Sequence, residues 1–445
     1  MFSGAMSRMY RAEVPLYTDL LSLVGEINET VLRSDPELRN RLRKLDNLDR
    51  ISEERHGAIR LGRPDELHTI RRLFSIMGME PVGYYDLSVA GLPVHATAFR
   101  PVSAEELRRN PFRVFTSLLR SELIEPKEVR DEAAAILAKR DIFGPVLREL
   151  IDHAEATGGV ESGMAEGFID EAVRMFSWRS QAIVTATTYL KLHVSHRLAA
   201  DIVSFKGPHI NHLTPRVLDI DAAQESMTAR GMDAKAVIEG PPRRKCPVLL
   251  RQTSFKALQE QISFLGEGGA GVPGTHTARF GEIEQRGIAL TRKGRDLYDS
   301  CLREARSIEP PAADGLNADR YMYALTESFR RFPDTHEDMR RDGLAFYQYF
   351  ITEKHSLAET MDLESMIKAG HVDFEPIVYE DFLPISAAGI FQSNLGDRKT
   401  AEALAVSNRE QFVAALGTEP LDEFGLYQAI EDQSKAAIGL RQSRE

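Results

Sequence analysis

Apolar positions recur at helical spacing near the start of the chain. Tyr17, Leu20, Leu21, Leu23 and Val24 form a stripe that Val31 and Leu32 extend, and a charged stretch from Asn40 to Arg50 follows. That spacing predicts helix. The period then shortens. Glu54 to Gly62 reads as a strand, and Gly62-Arg63-Pro64-Asp65 as a turn with Asp65 as helix N-cap. Leu67, Ile70, Leu73, Phe74 and Met77 form the apolar face of a helix that Gly78 closes. Strand-like runs come next at Pro81 to Leu87, Val94 to Arg100 and Pro111 to Leu119. The order is β-α-β-β-β.

Residues 120 to 204 return to a helical pattern, broken around Gly158-Gly159 and Gly163, with a helix expected from Gln181 to Ala200. A second unit then repeats the first in element order. Ile210 to Ile220 reads as a strand, Ala222 to Met232 as a helix and Pro247 to Phe255 as a strand, with a short strand expected between Lys235 and Glu239. The Gly-rich run Gly266 to Gly274, expected as a lid or hairpin connection, leads to a last strand at Phe280 to Gly287. Beyond residue 292 the pattern is mostly helical, at Arg295 to Ile308, Asn317 to Phe332 and Ala401 to Leu416. Asp381 to Asn394 is apolar, rich in small residues and punctuated by Pro and Gly, which suits a buried pocket wall.

Composition narrows the class. The chain has 445 residues, 42% apolar and 28% charged, as a soluble globular protein does. A net charge of -11 argues against a general nucleic-acid surface. Two cysteines, Cys246 and Cys301, exclude a disulfide framework or a Cys-rich zinc site and fit a reducing compartment. No secretory leader or membrane-spanning run is read, so a cytoplasmic protein is expected. Oligomeric state is not legible.

The chemistry gathers on the last strand of the second unit. Side chains alternate across a strand, so Glu282 and Glu284 share a face and Ile283 takes the other. Carboxylates on an inward face need a partner, and a cation is one. Two histidines and one carboxylate form the facial triad of non-haem Fe(II) oxygenases, and can also hold zinc. Of twelve histidines, His56 and His212 occupy matching places, each opening the first strand of its unit. The candidate set is His56, His212 and Glu282. Glu284 stays open as the rival carboxylate, with Arg286 or Arg279 as a partner for whichever glutamate is not a ligand. His68 with Arg72 rivals His56 with Arg60, though His68 reads as solvated. His209 is three residues from His212 and reads as a supporting or exposed group. His276 and His95 read as hydrogen-bonded strand residues. Arg60 lies on the His56 face, ~13 Å along the strand, within a long side chain's reach of a substrate's far end. A salt bridge is its alternative. The Gly-rich run lacks the ending of a phosphate-binding loop.

Several stretches resemble the 2-oxoadipate dioxygenase/decarboxylase family. They are His56-Gly57-Ala58-Ile59-Arg60, Met77 to Leu87, Asn211-His212-Leu213-Thr214-Pro215-Arg216, Phe280 to Gly287 and Phe382 to Asn394. The resemblance implies an α+β fold of the vicinal oxygen chelate type. Paired βαβββ modules would form an incomplete barrel around a metal, with large added helical regions. The expected divisions are a helical segment at 1–50, the first module at 51–120, a helical insertion at 121–205, the second module at 206–291 and a mainly helical region at 292–445 with the pocket-wall loop 381–394. Glu282-Ile283-Glu284-Gln285-Arg286 is also similar to the metal-ligand strand of 4-hydroxyphenylpyruvate dioxygenase, which favours Glu282 over Glu284. The resemblance further implies Fe(II) on His56, His212 and Glu282, a substrate carboxylate on Arg60, and substrate contacts at Ile385 and Ser386. The implied reaction takes 2-oxoadipate and O2 to 2-hydroxyglutarate and CO2, a step of lysine breakdown. A zinc-type hydrolase or isomerase on the same ligands is the alternative.

Overall fold

A computed structural model describes residues 1–45, 47–255, 257–312, 315–353, 361–383 and 408–439. Its central feature is an open five-stranded sheet in the order β2-β3-β4-β1-β5. The strands are β1 (Arg55–Leu61), β2 (Glu80–Asp86), β3 (Val94–Arg100), β4 (Phe112–Leu119) and β5 (Leu213–Pro215). The β-α-β-β-β order of the first unit is present, with the helix Pro64–Ile76 between β1 and β2. β1 runs parallel to β4 and antiparallel to β5, so His56 lies opposite Arg113 on one side and Thr214 on the other. At Gly83 β2 bulges. Its φ of 72° is in the left-handed region that favours glycine.

The alternation of side chains gives the sheet two faces. Phe112 and Phe99 point to one face, where Phe112 meets Phe2 at 5.0 Å and Phe99 meets Phe74 at 5.0 Å. The helices Phe2–Glu13 and Pro64–Ile76, which carry Phe2 and Phe74, thereby cover this face. The other face carries His56, Ala58 and Arg60 of β1, Phe115 and Ser117 of β4, and Ala96 and Ala98 of β3. All are buried, as is Arg113 beside His56 on the same face. Both faces of β1 are covered, so its burial is continuous rather than alternating.

Three more pairs complete the strand set. β6 (Leu250–Ser254) pairs with β9 (Glu282–Arg286), β7 (Gln259–Leu265) with β8 (Gly271–Thr277), and β10 (Tyr347–Ile351) with β11 (Val372–Pro376). An isolated bridge between Arg216 and Glu284, with the Val217 amide donating to the Glu284 carbonyl at 2.7 Å, sets the end of β5 beside β9. This continuity brings β1, β5 and β9 side by side. The fold is α+β, and no closed barrel forms among the described residues.

Packing divides the chain into two units that ignore chain order. One comprises Met1–Lys235, Thr253–Glu284 and Phe382–Pro420. The other comprises Ala236–Gln252, Gln285–Asp381 and Leu421–Glu445. In the second, the β10–β11 hairpin packs with the helix Glu423–Ala437, whose Glu431 accepts from the Tyr347 amide at 3.3 Å.

Several local expectations are corrected. Arg63, not Asp65, occupies the N-cap; Glu66 reaches back to the Gly62 and Arg63 amides at 2.8 and 3.2 Å, a capping-box arrangement. The helix expected from Gln181 to Ala200 is two, Ala186–Ser195 and Arg197–Ser204, split where the extended His196 caps the second through its ring. No strand forms from Lys235 to Glu239; only single bridges occur, at Ala234 and Glu239. The Gly-rich run is the tip and second strand of the β7–β8 hairpin. The C-terminal region holds a hairpin, not helices alone. Most of the expected pocket wall, including Ile385 and Ser386, lies outside the described residues.

Candidate metal centre

Three neighbouring strand segments each deliver one donor. His56 comes from β1, His212 from the residue that precedes β5, and Glu282 from the start of β9. Nε2 of His56 lies 2.9 Å from Oε1 of Glu282, and Nε2 of His212 lies 3.8 Å from the same oxygen. One donor atom from each residue falls within a sphere of mutual distances below 4.8 Å. All three side chains are fully buried. The two imidazoles meet edge to face, with centroids 5.4 Å apart.

Packing fixes the rings. Phe382 stands edge-on to His56 at 5.1 Å, and Phe280 lies against His212 at 4.9 Å. Thr214 donates its hydroxyl to Glu282 Oε1 at 2.9 Å. Tyr10 donates to the carbonyls of Asn211 and Phe280 at 3.1 and 3.0 Å, so the N-terminal helix ties together the two segments that carry His212 and Glu282. Gly57 permits the close approach of β5. A Cβ there would lie 2.3 Å from Ile210 and 2.8 Å from the His212 carbonyl.

The rival glutamate has a different place. Glu284 Oε2 lies 2.9 Å from Nδ1 of His56, the ring nitrogen opposite the one that faces Glu282. A neutral His56 protonated on Nδ1, the nitrogen that faces Glu284, aims its Nε2 lone pair at a carboxylate oxygen 2.9 Å away. Two lone pairs at that distance need a proton or a metal cation between them. Burial lowers the His56 pKa, but Glu284 and Glu282 outweigh it and raise the value. Burial pushes the Glu282 carboxyl up, yet His212 and His56 bring it below its ordinary value, so it is ionised near neutrality. His212 is held down to about 4, first by burial and then by the charges of His56 and Arg60, against Glu282. It is therefore neutral and ready to donate a lone pair. Neither ring nitrogen of His212 has a hydrogen-bond partner among the described residues. Buried polar atoms rarely go unsatisfied, at a cost of roughly 1–3 kcal/mol each. One carboxylate and two imidazoles, one of them orphaned, fit a divalent transition metal, which would take the place of the proton on His56.

Arg60 is in its expected strand and makes the salt bridge that the sequence offers as its alternative. Its Nη1 pairs with Asp201 Oδ2 at 2.5 Å in a buried contact. Asp201 Oδ1 in turn lies 2.9 Å from His276 Nε2 and 3.2 Å from His209 Nε2, a second group of possible metal donors. The sequence reading missed Asp201, Thr214 and Tyr10. One signal existed for Asp201, a lone acid inside the apolar run Leu198 to Val203. His276 is a bonded strand residue and His209 is buried; His68 is exposed and stands in no described metal-donor group.

A family model described as 2-oxoadipate dioxygenase/decarboxylase matches residues 2–394. The chain belongs to this family. The 2-oxoadipate dioxygenase/decarboxylase of Pseudomonas putida is 55% identical over 441 residues, covering 98% of this chain and 95% of the relative. That of Escherichia coli is 52% identical over 444 residues, covering 99% and 97%. The crystal structure of the hydroxyglutarate synthase in complex with 2-oxoadipate from Pseudomonas putida superposes with a TM-score of 0.90, at 54% identity and 98% and 96% coverage. Family membership makes the chain an enzyme of the dioxygenase/decarboxylase class. Among the described residues no helix is long and apolar enough to cross a membrane.

Proposed function

We propose that this enzyme binds Fe(II) through His56, His212 and Glu282 and converts 2-oxoadipate and O2 into 2-hydroxyglutarate and CO2. The observation that carries the reading is the convergence of two imidazole nitrogens and one carboxylate oxygen in a fully buried site, one of the imidazoles having no hydrogen-bond partner among the described residues. Two histidines and one carboxylate leave an iron ion positions for other ligands, and the chemistry Fe(II) supplies when bound is activation of O2 toward a 2-oxo acid. The atoms balance. A six-carbon oxo diacid and O2 give a five-carbon hydroxy diacid and CO2. The bond between the carboxylate carbon and the keto carbon breaks, and the old carboxylate leaves as CO2. One oxygen atom turns the keto carbon into the new carboxylate; the other enters a C–H bond of the adjacent carbon as its hydroxyl.

The chain's own residues set the conditions. Glu284 faces His56 Nδ1 at 2.9 Å, and its charge favours the tautomer protonated there, which leaves Nε2 free to hold a metal. Thr214 holds Glu282 in orientation. Phe280 and Phe382 line the imidazoles and keep water away. Arg60 grips the substrate's distal carboxylate with its planar fork, which selects the carbon presented for hydroxylation. Ile385 and Ser386 are assigned to substrate contact on the family resemblance. The same resemblance supports a role in lysine breakdown.

The test is an oxygen-electrode assay of iron-loaded, reduced protein with 2-oxoadipate and with shorter and longer 2-oxo acids. Consumption of O2 with equal release of 2-hydroxyglutarate and CO2 is expected. No O2 uptake, or equal turnover with zinc in place of iron, would sink the reading in favour of a hydrolase or isomerase.

A further inference from the structure

The group around Asp201 brings four elements together. Asp201 is on the helix Arg197–Ser204, Tyr189 on the helix Ala186–Ser195, His276 on β8, and His209 on the loop before β5. Asp201 Oδ2 holds Arg60 Nη1 at 2.5 Å. Its Oδ1 takes His276 Nε2 at 2.9 Å and faces His209 Nε2 at 3.2 Å. The Tyr189 hydroxyl bonds Nδ1 of the same His276 at 2.8 Å. Trp178 lies parallel to His276 at 6.1 Å and edge-on to His209 at 4.7 Å. Every one of these polar side chains is buried.

The donor set alone would also suit a metal. The bonding argues otherwise. Both nitrogens of His276 are engaged, and one oxygen of Asp201 is committed to a guanidinium whose charge opposes a cation at the same carboxylate. What the cluster delivers instead is the orientation of Arg60. An arginine has many rotamers, and ordering it only when substrate arrives would weaken binding. Here that ordering is done on folding.

We infer that Asp201, bonded by His276, which Tyr189 holds in turn, and faced by His209, is a positioning residue that sets the Arg60 guanidinium and thereby the preference for 2-oxo diacids over 2-oxo monoacids. This rests on the reading of Arg60 as the group that grips the distal carboxylate. Asp201 itself touches Arg60 and not the ligand residues described above.

The experiment compares iron-loaded wild type with Asp201→Asn, Tyr189→Phe and Arg60→Ala. It measures kcat and KM for 2-oxoadipate and for 2-oxohexanoate, which lacks the distal carboxylate, and Fe(II) stoichiometry by anaerobic titration. Asp201→Asn should raise KM for 2-oxoadipate roughly ten- to hundredfold with a smaller change in kcat. The same variant should leave 2-oxohexanoate kinetics and Fe(II) stoichiometry as in wild type. Tyr189→Phe removes one hydroxyl and should move the preference the same way by a smaller factor; it decides the matter if Asp201→Asn does not fold. An unchanged preference in Asp201→Asn and Tyr189→Phe, with preference lost in Arg60→Ala, overturns the inference and leaves the Arg60 reading standing. An unchanged preference in Arg60→Ala overturns that reading and the inference with it. Loss of a second bound equivalent of Fe(II) in Asp201→Asn overturns the inference in favour of a metal site.

Discussion

Replacing Glu284 with Gln takes a charge from the far side of the His56 ring while sparing the side that faces Glu282. The structure sets the scale. The Nδ1–Oε2 contact is 2.9 Å and both side chains are 0% exposed, so water cannot replace the lost carboxylate. A charge-assisted hydrogen bond is about twice as strong as a neutral one. Loss of the partner that orients a metal-bound histidine typically costs about 10–100-fold in metal affinity, which is roughly 1.4–2.8 kcal/mol. Glutamine keeps a hydrogen bond but not the charge, so the lower end of that range, about tenfold, is expected. Glu282→Gln, by contrast, removes a donor and should abolish stoichiometric binding. The assay is anaerobic Fe(II) titration in competition with a chromophoric chelator. Wild-type affinity in Glu284→Gln would refute the orienting role. Stoichiometric binding in Glu282→Gln with none in Glu284→Gln would mean that the two glutamates had been exchanged.

Three further outcomes are expected. Arg60→Ala should keep Fe(II) binding and lose turnover of 2-oxoadipate; wild-type activity would remove Arg60 from substrate binding. Gly57→Ala places a methyl group 2.8 Å from the His212 carbonyl and 2.3 Å from Ile210. Overpacking of that kind costs about 1–3 kcal/mol, and the forced shift of β5 should also weaken Fe(II) binding, measured by thermal melting and titration of the same sample. The third concerns pH. His212 is held down to about 4 in the fold, whereas the unfolded side chain titrates near its ordinary value of about 6.5. The unfolded state therefore binds the extra proton between these values, and metal-free protein loses stability as pH falls through that window, by on the order of 3 kcal/mol from this group. Urea unfolding of metal-free wild type and His212→Gln should give curves that converge on acidification, and parallel curves would count against the assignment.

How far the sequence could be read depended on the range of the interactions. β1 to β4 were legible because local periodicity and Gly and Pro punctuation agree with the tertiary fold there. His56 and His212 stood out because they hold matching places, each opening the first strand of its unit, and Glu282 because its carboxylate falls on an inward strand face. The choice between Glu282 and Glu284 was not legible from alternation, since both share a face; the resemblance favours Glu282, and the Oε positions on opposite nitrogens of His56 set the two apart. Asp201 and Tyr10 were out of reach for another reason. Their partners lie 141 residues away at Arg60 and 201 residues away at Asn211, and no local pattern encodes a contact of that span. The β10–β11 pair was missed because a helix, Leu363–Lys368, lies between its strands, so no short turn links the two runs. The helix Gln181 to Ala200 was overextended because His196 is an uncommon cap.

The most direct test of the account is the fate of isotopically heavy O2. Iron-loaded wild-type protein, given 2-oxoadipate under labelled O2, should place both heavy atoms in 2-hydroxyglutarate, one in the new carboxylate and one in the hydroxyl, and none in CO2. The same protein carrying His212→Ala should form no labelled product. Unlabelled 2-hydroxyglutarate from the wild type, or labelled product from the variant at the wild-type rate, would contradict the claim that this site joins O2 to a 2-oxo acid.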